Sequence, residues 1–283
     1  MILVLMALSA CGDGNREGGG LFAPGGIFGP RDSRQDIEVL EAGEIYHLAE
    51  AELEDGDPEE AARLFNEIER LHPYSDWAKR ALIMAAFSYH SNRDYEGARG
   101  AAQRFIDFYP ADEDAAYAQY LLALSYYDQL DHAGRDQGIT IQALQALRMV
   151  FERYPDSAYA SSAILKFDLA FDQLAAKQME IGRYYLRRGH NMAAINRFRV
   201  VVEEFQTTSH TPEALMRLVE AYLSLGLTDE AQTAGAILGY NFQSSPFYED
   251  AFNTLTGRDL APEASGKGWL WDVWQQTVRG ARL

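Results

Sequence analysis

Residues 86–110 read AFSYHSNRDYEGARGAAQRFIDFYP, and the spacing inside this stretch decides the fold. Apolar residues recur at three and four positions, the period of a helix with one buried face. Ala98 is a small residue early in a second helix, where a neighbour must approach closely, and Ala86 lies twelve residues before it. Tyr89 follows Ala86 by three, and Pro110 follows Ala98 by twelve, where a proline ends the helix. The same frame recurs along the chain. Ala61, Ala98, Ala143, Ala194 and Ala231 mark second helices, with Ala49, Ala86, Ala123, Gly182 and Val219 twelve residues earlier. Three residues after those come Glu52, Tyr89, Tyr126, Tyr185 and Tyr222. Pro73, Pro110 and Pro155 close the first three units, while Phe65, Leu147 and Phe198 follow their alanines by four.

This small-x-x-Tyr, small-x-x-x-Phe, Pro pattern resembles the tetratricopeptide repeat. The resemblance implies an all-α fold, a tetratricopeptide-repeat superhelix of about five helix-turn-helix units over residues 37–250. The alanine spacings are 37, 45, 51 and 37 residues, against about 34 for the standard unit. The surplus in the third unit falls near Asp128–Gly138 (DQLDHAGRDQG), and the surplus before the fourth predicts a long helix from about Ser157 to Arg188. Gln206 and Gln243 stand in the proline place of the last two units. Turn chemistry agrees. In Asp55-Gly56-Asp57-Pro58-Glu59-Glu60, Asp57 caps, Pro58 fits the first turn and Glu60 completes a capping-box-like pattern. Leu225-Gly226-Leu227-Thr228-Asp229-Glu230 makes the same kind of stop and start.

Acidic side chains number 42 against 25 basic ones, for a net charge of −17. Such a surface repels phosphate backbones and argues against nucleic acid as a partner. It also argues against adhesion to anionic lipid through a basic patch. The single cysteine, Cys11, allows no disulfide within the chain. It follows the apolar run MILVLMALSA, far short of the ~20 residues that span a bilayer and shaped like the core of a secretory signal. Leu8-Ser9-Ala10-Cys11 resembles the lipobox of bacterial lipoproteins, which implies a signal peptide over residues 1–10 and acyl chains on Cys11. Gly12 stands where an Asp would favour inner-membrane retention under the enterobacterial sorting rule, so the resemblance favours the outer membrane. Residues 11–36, crowded with Gly and Pro, read as a lipidated flexible tether. No Gly-Lys-Ser/Thr follows those glycines, so no phosphate loop is expected. His47, His72, His90, His132, His190 and His210 fall in different segments, without the paired spacing a metal needs. We therefore expect no catalytic residue, no metal and no cofactor.

The lipobox, the Gly-rich tether and five degenerate repeats together resemble the BamD family, lipoproteins of the machinery that assembles β-barrels in the outer membrane. Glu44-Ile45-Tyr46, His72-Pro73, Tyr109-Pro110, Tyr154-Pro155, Arg104-Phe105-Ile106 and the excursion in the third unit also carry the resemblance, which covers roughly residues 8–250. It implies a non-catalytic scaffold on the periplasmic face of the outer membrane. N-terminal repeats would then meet unfolded barrel substrates. C-terminal repeats would engage the BamA-like barrel subunit, beside the other lipoproteins of the machine. The alternative is a periplasmic tetratricopeptide scaffold that coordinates cell-wall synthesis with envelope constriction.

First helices line the groove of such an array. The groove-facing places of this repeat class are Tyr46 and Leu53 in the first unit, and Ile83, Phe87 and His90 in the second. In the third they are Tyr117, Tyr120, Leu124 and Tyr127. This aromatic, apolar surface, with an acidic edge at Glu50, Glu54 and Asp128, suits the C-terminal segment of an unfolded outer-membrane protein, which alternates apolar residues and ends in an aromatic. The same spacing also fits packing between repeats. Arg183, Arg187 and Arg188 form a basic patch in an acidic protein, suited to docking an acidic partner domain. Near a helix C-terminus they also complement the dipole. Residues 251–283 make a tail whose helix, from about Gly268 to Ala281, carries Trp269, Trp271 and Trp274. Packing back on the last repeat is the favoured reading, with a partner or the membrane interface as alternatives.

Overall fold

The computed structural model describes residues 37–130, 137–264 and 268–278. Cys11, the signal-like run and the tether lie outside these residues. Twelve helices and no strand occur among the described residues. They fall into two compact units, one through Ala81 and one from Leu82 onward.

The first unit holds α1 (Ala42–Asp55), α2 (Pro58–Leu71) and the opening turns of α3 (Asp76–Ser91). A reciprocal capping box between Glu41 and Glu44 starts α1, and Gly56, at φ +86°, stops it in the left-handed region that favours glycine. Asp57 caps α2 by accepting the Glu60 N–H at 3.0 Å, with Pro58 in the first turn. Glu60 does not close a second box; its carboxylate forks onto Arg63 one turn on. Ala49 and Ala61 are fully buried, which lets α1 and α2 close over Phe65 and Ile68. Each such large apolar side chain contributes about 1.5–3 kcal/mol by leaving water. His72, one residue before the helix-ending Pro73, donates from Nε2 to the Leu40 carbonyl at 3.0 Å.

The second unit continues from the rest of α3 through α4 (Tyr95–Phe108), α5 (Ala115–Tyr127), α6 (Gln137–Arg153), α7 (Ala160–Arg187), α8 (Asn191–Glu204), α9 (Thr211–Ser224) and α10 (Thr228–Asn241). Two more helices, α11 (Pro246–Thr256) and α12 (Trp269–Val278), follow. Ala98, Ala143, Ala194 and Ala231 are all fully buried, as helix pairs in close contact require. The apolar clusters follow one another along the chain. Leu82, Phe105, Ala115 and Ala118 share one, Ala123, Leu147 and Ala163 the next, and Phe198, Leu215, Ile237 and Leu255 the last. Each element thus packs on its chain neighbours, the mark of a repeat array. The long helix expected before the fourth unit is α7, at 28 residues. Between α9 and α10, Gly226 turns the chain at φ +75°, while Leu227 takes the N-cap position without a side-chain cap.

The tail closes the last cluster. Leu270 and Val273 are buried in it, and the Trp269 indole N–H donates to the Tyr222 hydroxyl at 3.0 Å. Arg199 lies 5.0 Å above the Trp269 ring, and Trp274 meets Tyr240 edge-on at 5.5 Å. Trp269 and Trp274 therefore pack on the final repeats, which gives the array a capped end.

Candidate functional site

In the second unit, α3 and α5 present aromatic side chains toward a shared cavity. Phe87, His90 and Ser91 lie at three- and four-residue spacing and so share one face of α3. Phe87 stays 38% exposed, large for an aromatic in a helix interior. One turn on, His90 donates from Nε2 to Asp128 Oδ2 at 3.0 Å and sets its ring edge-on to Tyr95 at 5.7 Å. His90, Ser91, Arg93, Tyr95, Tyr127 and Gln173 line a cavity of about 550 Å³, while Phe87 stands one turn before His90 and outside that lining. The Lys166 ammonium sits 5.2 Å from the Tyr127 ring.

Arg93 reaches the cavity from a costly backbone. Its φ is +61°, whereas the comparable turns of other repeats place Gly56, Gly189 and Gly226 in that region. A side chain there costs roughly 1–2 kcal/mol that glycine avoids.

Along α5, Tyr117 and Tyr120 hold Tyr159 between them, stacked at 5.1 Å and 5.3 Å. The Tyr120 hydroxyl pairs with Ser162 Oγ at 2.7 Å. Burial, and then the neighbouring Tyr159, push the Tyr117 phenol above its ordinary range. Leu124 continues the same face, half-buried. Half-covered aromatic rings with hydroxyl tips offer apolar area at small entropic cost, the chemistry of a binding surface.

The expected groove residues thus divide. His90 and Tyr127 meet around the cavity, Phe87 lies outside its lining, and Tyr117 and Tyr120 form the ring row beside Leu124. Ile83 is buried in the cluster with Phe105 and Ala118. In the first unit Tyr46 is only 8% exposed, its ring 5.2 Å from Phe65 and 4.9 Å from Trp77. Burial, aided by Glu50, pushes its phenol up. Leu53 sits half-buried near the end of α1. Reading only first helices missed Tyr95, which opens the second helix α4, and Tyr159 and Arg93, which stand in turns.

The expected basic patch is partly committed. Arg183 donates to Glu213 at 2.8 Å, and Glu213 also meets Arg217, which pairs with Glu220. Arg187 and Arg188 are exposed, with the Arg188 guanidinium 4.4 Å above the half-open Tyr184 ring. Among the described residues, no group of His, Cys, Asp and Glu is placed to hold a metal. Nor is any described helix long and apolar enough to cross a membrane.

The model of the YfiO family, described as an outer membrane lipoprotein, matches residues 39–237. The chain belongs to this family. The outer membrane protein assembly factor BamD of Caulobacter vibrioides is 49% identical over 218 residues, 77% of this chain and 72% of that protein. BamD of Rickettsia prowazekii is 40% identical over 231 residues, 82% of this chain and 91% of that one. BamD of Neisseria meningitidis serogroup A is 30% identical over 218 residues, covering 74% and 82%. The YfiO match takes in all of α3, α5 and α7, so the aromatic cavity and the exposed arginines both lie inside it. Helices α11 and α12 follow it, and Cys11 precedes it.

Proposed function

We propose that this chain is a non-catalytic scaffold lipoprotein of outer-membrane β-barrel assembly, anchored at the periplasmic face through acyl chains on Cys11. Relatives named as assembly factors over most of their length support the process. The cavity lined by His90, Tyr95 and Tyr127 carries the mechanism. An unfolded barrel segment presents alternate apolar side chains along an extended backbone. Tyr95 and Tyr127 give such side chains rings to cover, while Arg93 offers donors to the backbone or a terminal carboxylate. The fourth unit adds Arg187 and Arg188, exposed cations that suit an acidic surface on the barrel-forming subunit. Charges at the rim of such an interface act mainly on association rate and register.

The test is fluorescence anisotropy with a labelled peptide of about ten residues, one C-terminal strand of an outer-membrane barrel. Tyr95→Ala should weaken binding about tenfold with unchanged helicity, the scale of a peripheral hot-spot residue. Undiminished affinity would remove the cavity from the mechanism. Arg187→Glu with Arg188→Glu should lower recovery of the barrel subunit while leaving peptide affinity intact.

A further inference from the structure

The opposite side of α5 carries a different surface. Gln119, Leu122 and Tyr126 project away from the face that bears Tyr117, Tyr120 and Leu124, as the helical period requires. Together with α4 and α6 they bound a groove of about 600 Å³. Its floor is apolar: Ile106 from α4, Leu122 and Tyr126 from α5, and Met149 from α6, which stays 43% exposed. Tyr126 is held in place, with the Arg99 guanidinium 4.6 Å above its ring.

The walls are amides. Gln103, Gln119, Gln142 and Gln145 all line the groove, and Gln119 does so although only 6% of it is exposed. Gln142 and Gln145 stand one turn apart on α6, on the same face as Met149. Among the lining residues, charge is confined to Asp107, which accepts from Gln103 Nε2 at 2.8 Å, and Arg153. In a chain of net charge −17, a groove holding one carboxylate and one guanidinium is locally neutral.

We infer that this groove binds an extended, uncharged stretch of polypeptide through its backbone. A glutamine amide both donates and accepts, so it pairs with a peptide N–H or C=O whatever side chain follows. An extended segment offers those groups along one edge and alternates its side chains, of which every second one meets the apolar floor. With one carboxylate and one guanidinium among the lining residues, the groove offers neither sign of charge a matching cluster. A helix, whose backbone groups are satisfied internally, would leave the amides unused. The groove is therefore sequence-tolerant and conformation-selective, and it is independent of the aromatic cavity.

The experiment is an anisotropy titration of the full acylated chain in detergent, corrected for empty micelles. The probe is an end-blocked fluorescent peptide of alternating Val and Ser, measured beside a copy N-methylated at the Ser positions. Binding of the plain peptide should weaken at least tenfold on N-methylation and equally with Gln142→Ala plus Gln145→Ala, both exposed positions. Tyr74→Ser, at a fully exposed position outside both surfaces, should leave it unchanged. No binding of the plain peptide, equal binding of the methylated copy, or insensitivity to the glutamine pair would each overturn the inference.

Discussion

Alanine at Gly182 and alanine at Gly100 should move stability in opposite directions. Both glycines lie in helix interiors, where alanine gains about 1 kcal/mol of helix propensity. At Gly100 the added Cβ meets only the Arg104 guanidinium at 3.7 Å, ordinary van der Waals contact. The gain should survive at about 0.5–1 kcal/mol. At Gly182 the Cβ would fall 2.8 Å from the Cδ1 and Cζ atoms of Phe198, and nearer still to Cε1. Phe198 is fully buried in the last core cluster, so its ring has no solvent side to swing into. Overpacking of this kind costs about 1–3 kcal/mol, and contacts this short call for the upper end. After subtracting the helix gain, a net loss of about 2 kcal/mol remains. At roughly 2–4 °C per kcal/mol for a chain of this size, Tm should fall by about 4–8 °C for Gly182→Ala and rise by about 1–4 °C for Gly100→Ala. Scanning calorimetry reads both shifts, and Phe198→Leu added to Gly182→Ala should restore part of the loss. If Gly182→Ala is neutral or stabilising, the claim that small residues set the distance between the helices of a repeat is wrong.

Other consequences are as direct. Arg93→Gly should raise stability by about 1 kcal/mol by releasing the left-handed strain, yet weaken barrel-peptide binding; denaturant melts and anisotropy on the same sample read the two signs. Trp269→Phe removes the indole bond to Tyr222 and should cost about 1 kcal/mol in urea unfolding, whereas an unchanged midpoint would show the tail to be undocked. Burial raises the phenols of Tyr46, Tyr117 and Tyr222, in the last case against the Trp269 hydrogen bond. A group raised by folding lends stability below its unfolded value and loses it above, so stability should decline as pH rises through about 10. Tyr117→Phe should make that decline shallower, as followed by chemical denaturation at alkaline pH. Glu213→Gln should cost about 1 kcal/mol, discounted for the partly exposed arginines, and should lower Tm more at low salt than at high salt.

The fold was legible because the repeat frame is one of volume. Ala98 or Ala194 cannot be enlarged where two helices touch, and Pro110 and Pro155 cannot continue a helix, so both leave a periodic trace. The length of α7 was readable for the same reason, as surplus spacing between Ala143 and Ala194. Side-chain destiny was less readable. Tyr46 stands three before the small residue of its unit and Phe87 one after that of the next, both expected to face the groove. Trp77 from the next helix covers Tyr46, however, while Phe87 stays half-open. Such burial depends on a neighbour's bulk, which no position-by-position frame contains. The Arg183–Glu213 pair joins residues 30 apart, and the Trp269–Tyr222 bond residues 47 apart. Contacts of that range follow from packing and carry no local signature. Arg93 left only the absence of a glycine as its trace.

The most direct test of the assembly role is co-purification of the tagged full chain from detergent-solubilised membranes. Recovery with a barrel-bearing protein that also carries periplasmic domains, reduced by Arg187→Glu with Arg188→Glu, is the predicted result. Recovery with peptidoglycan synthases in its place would contradict the account and return the chain to the cell-wall reading.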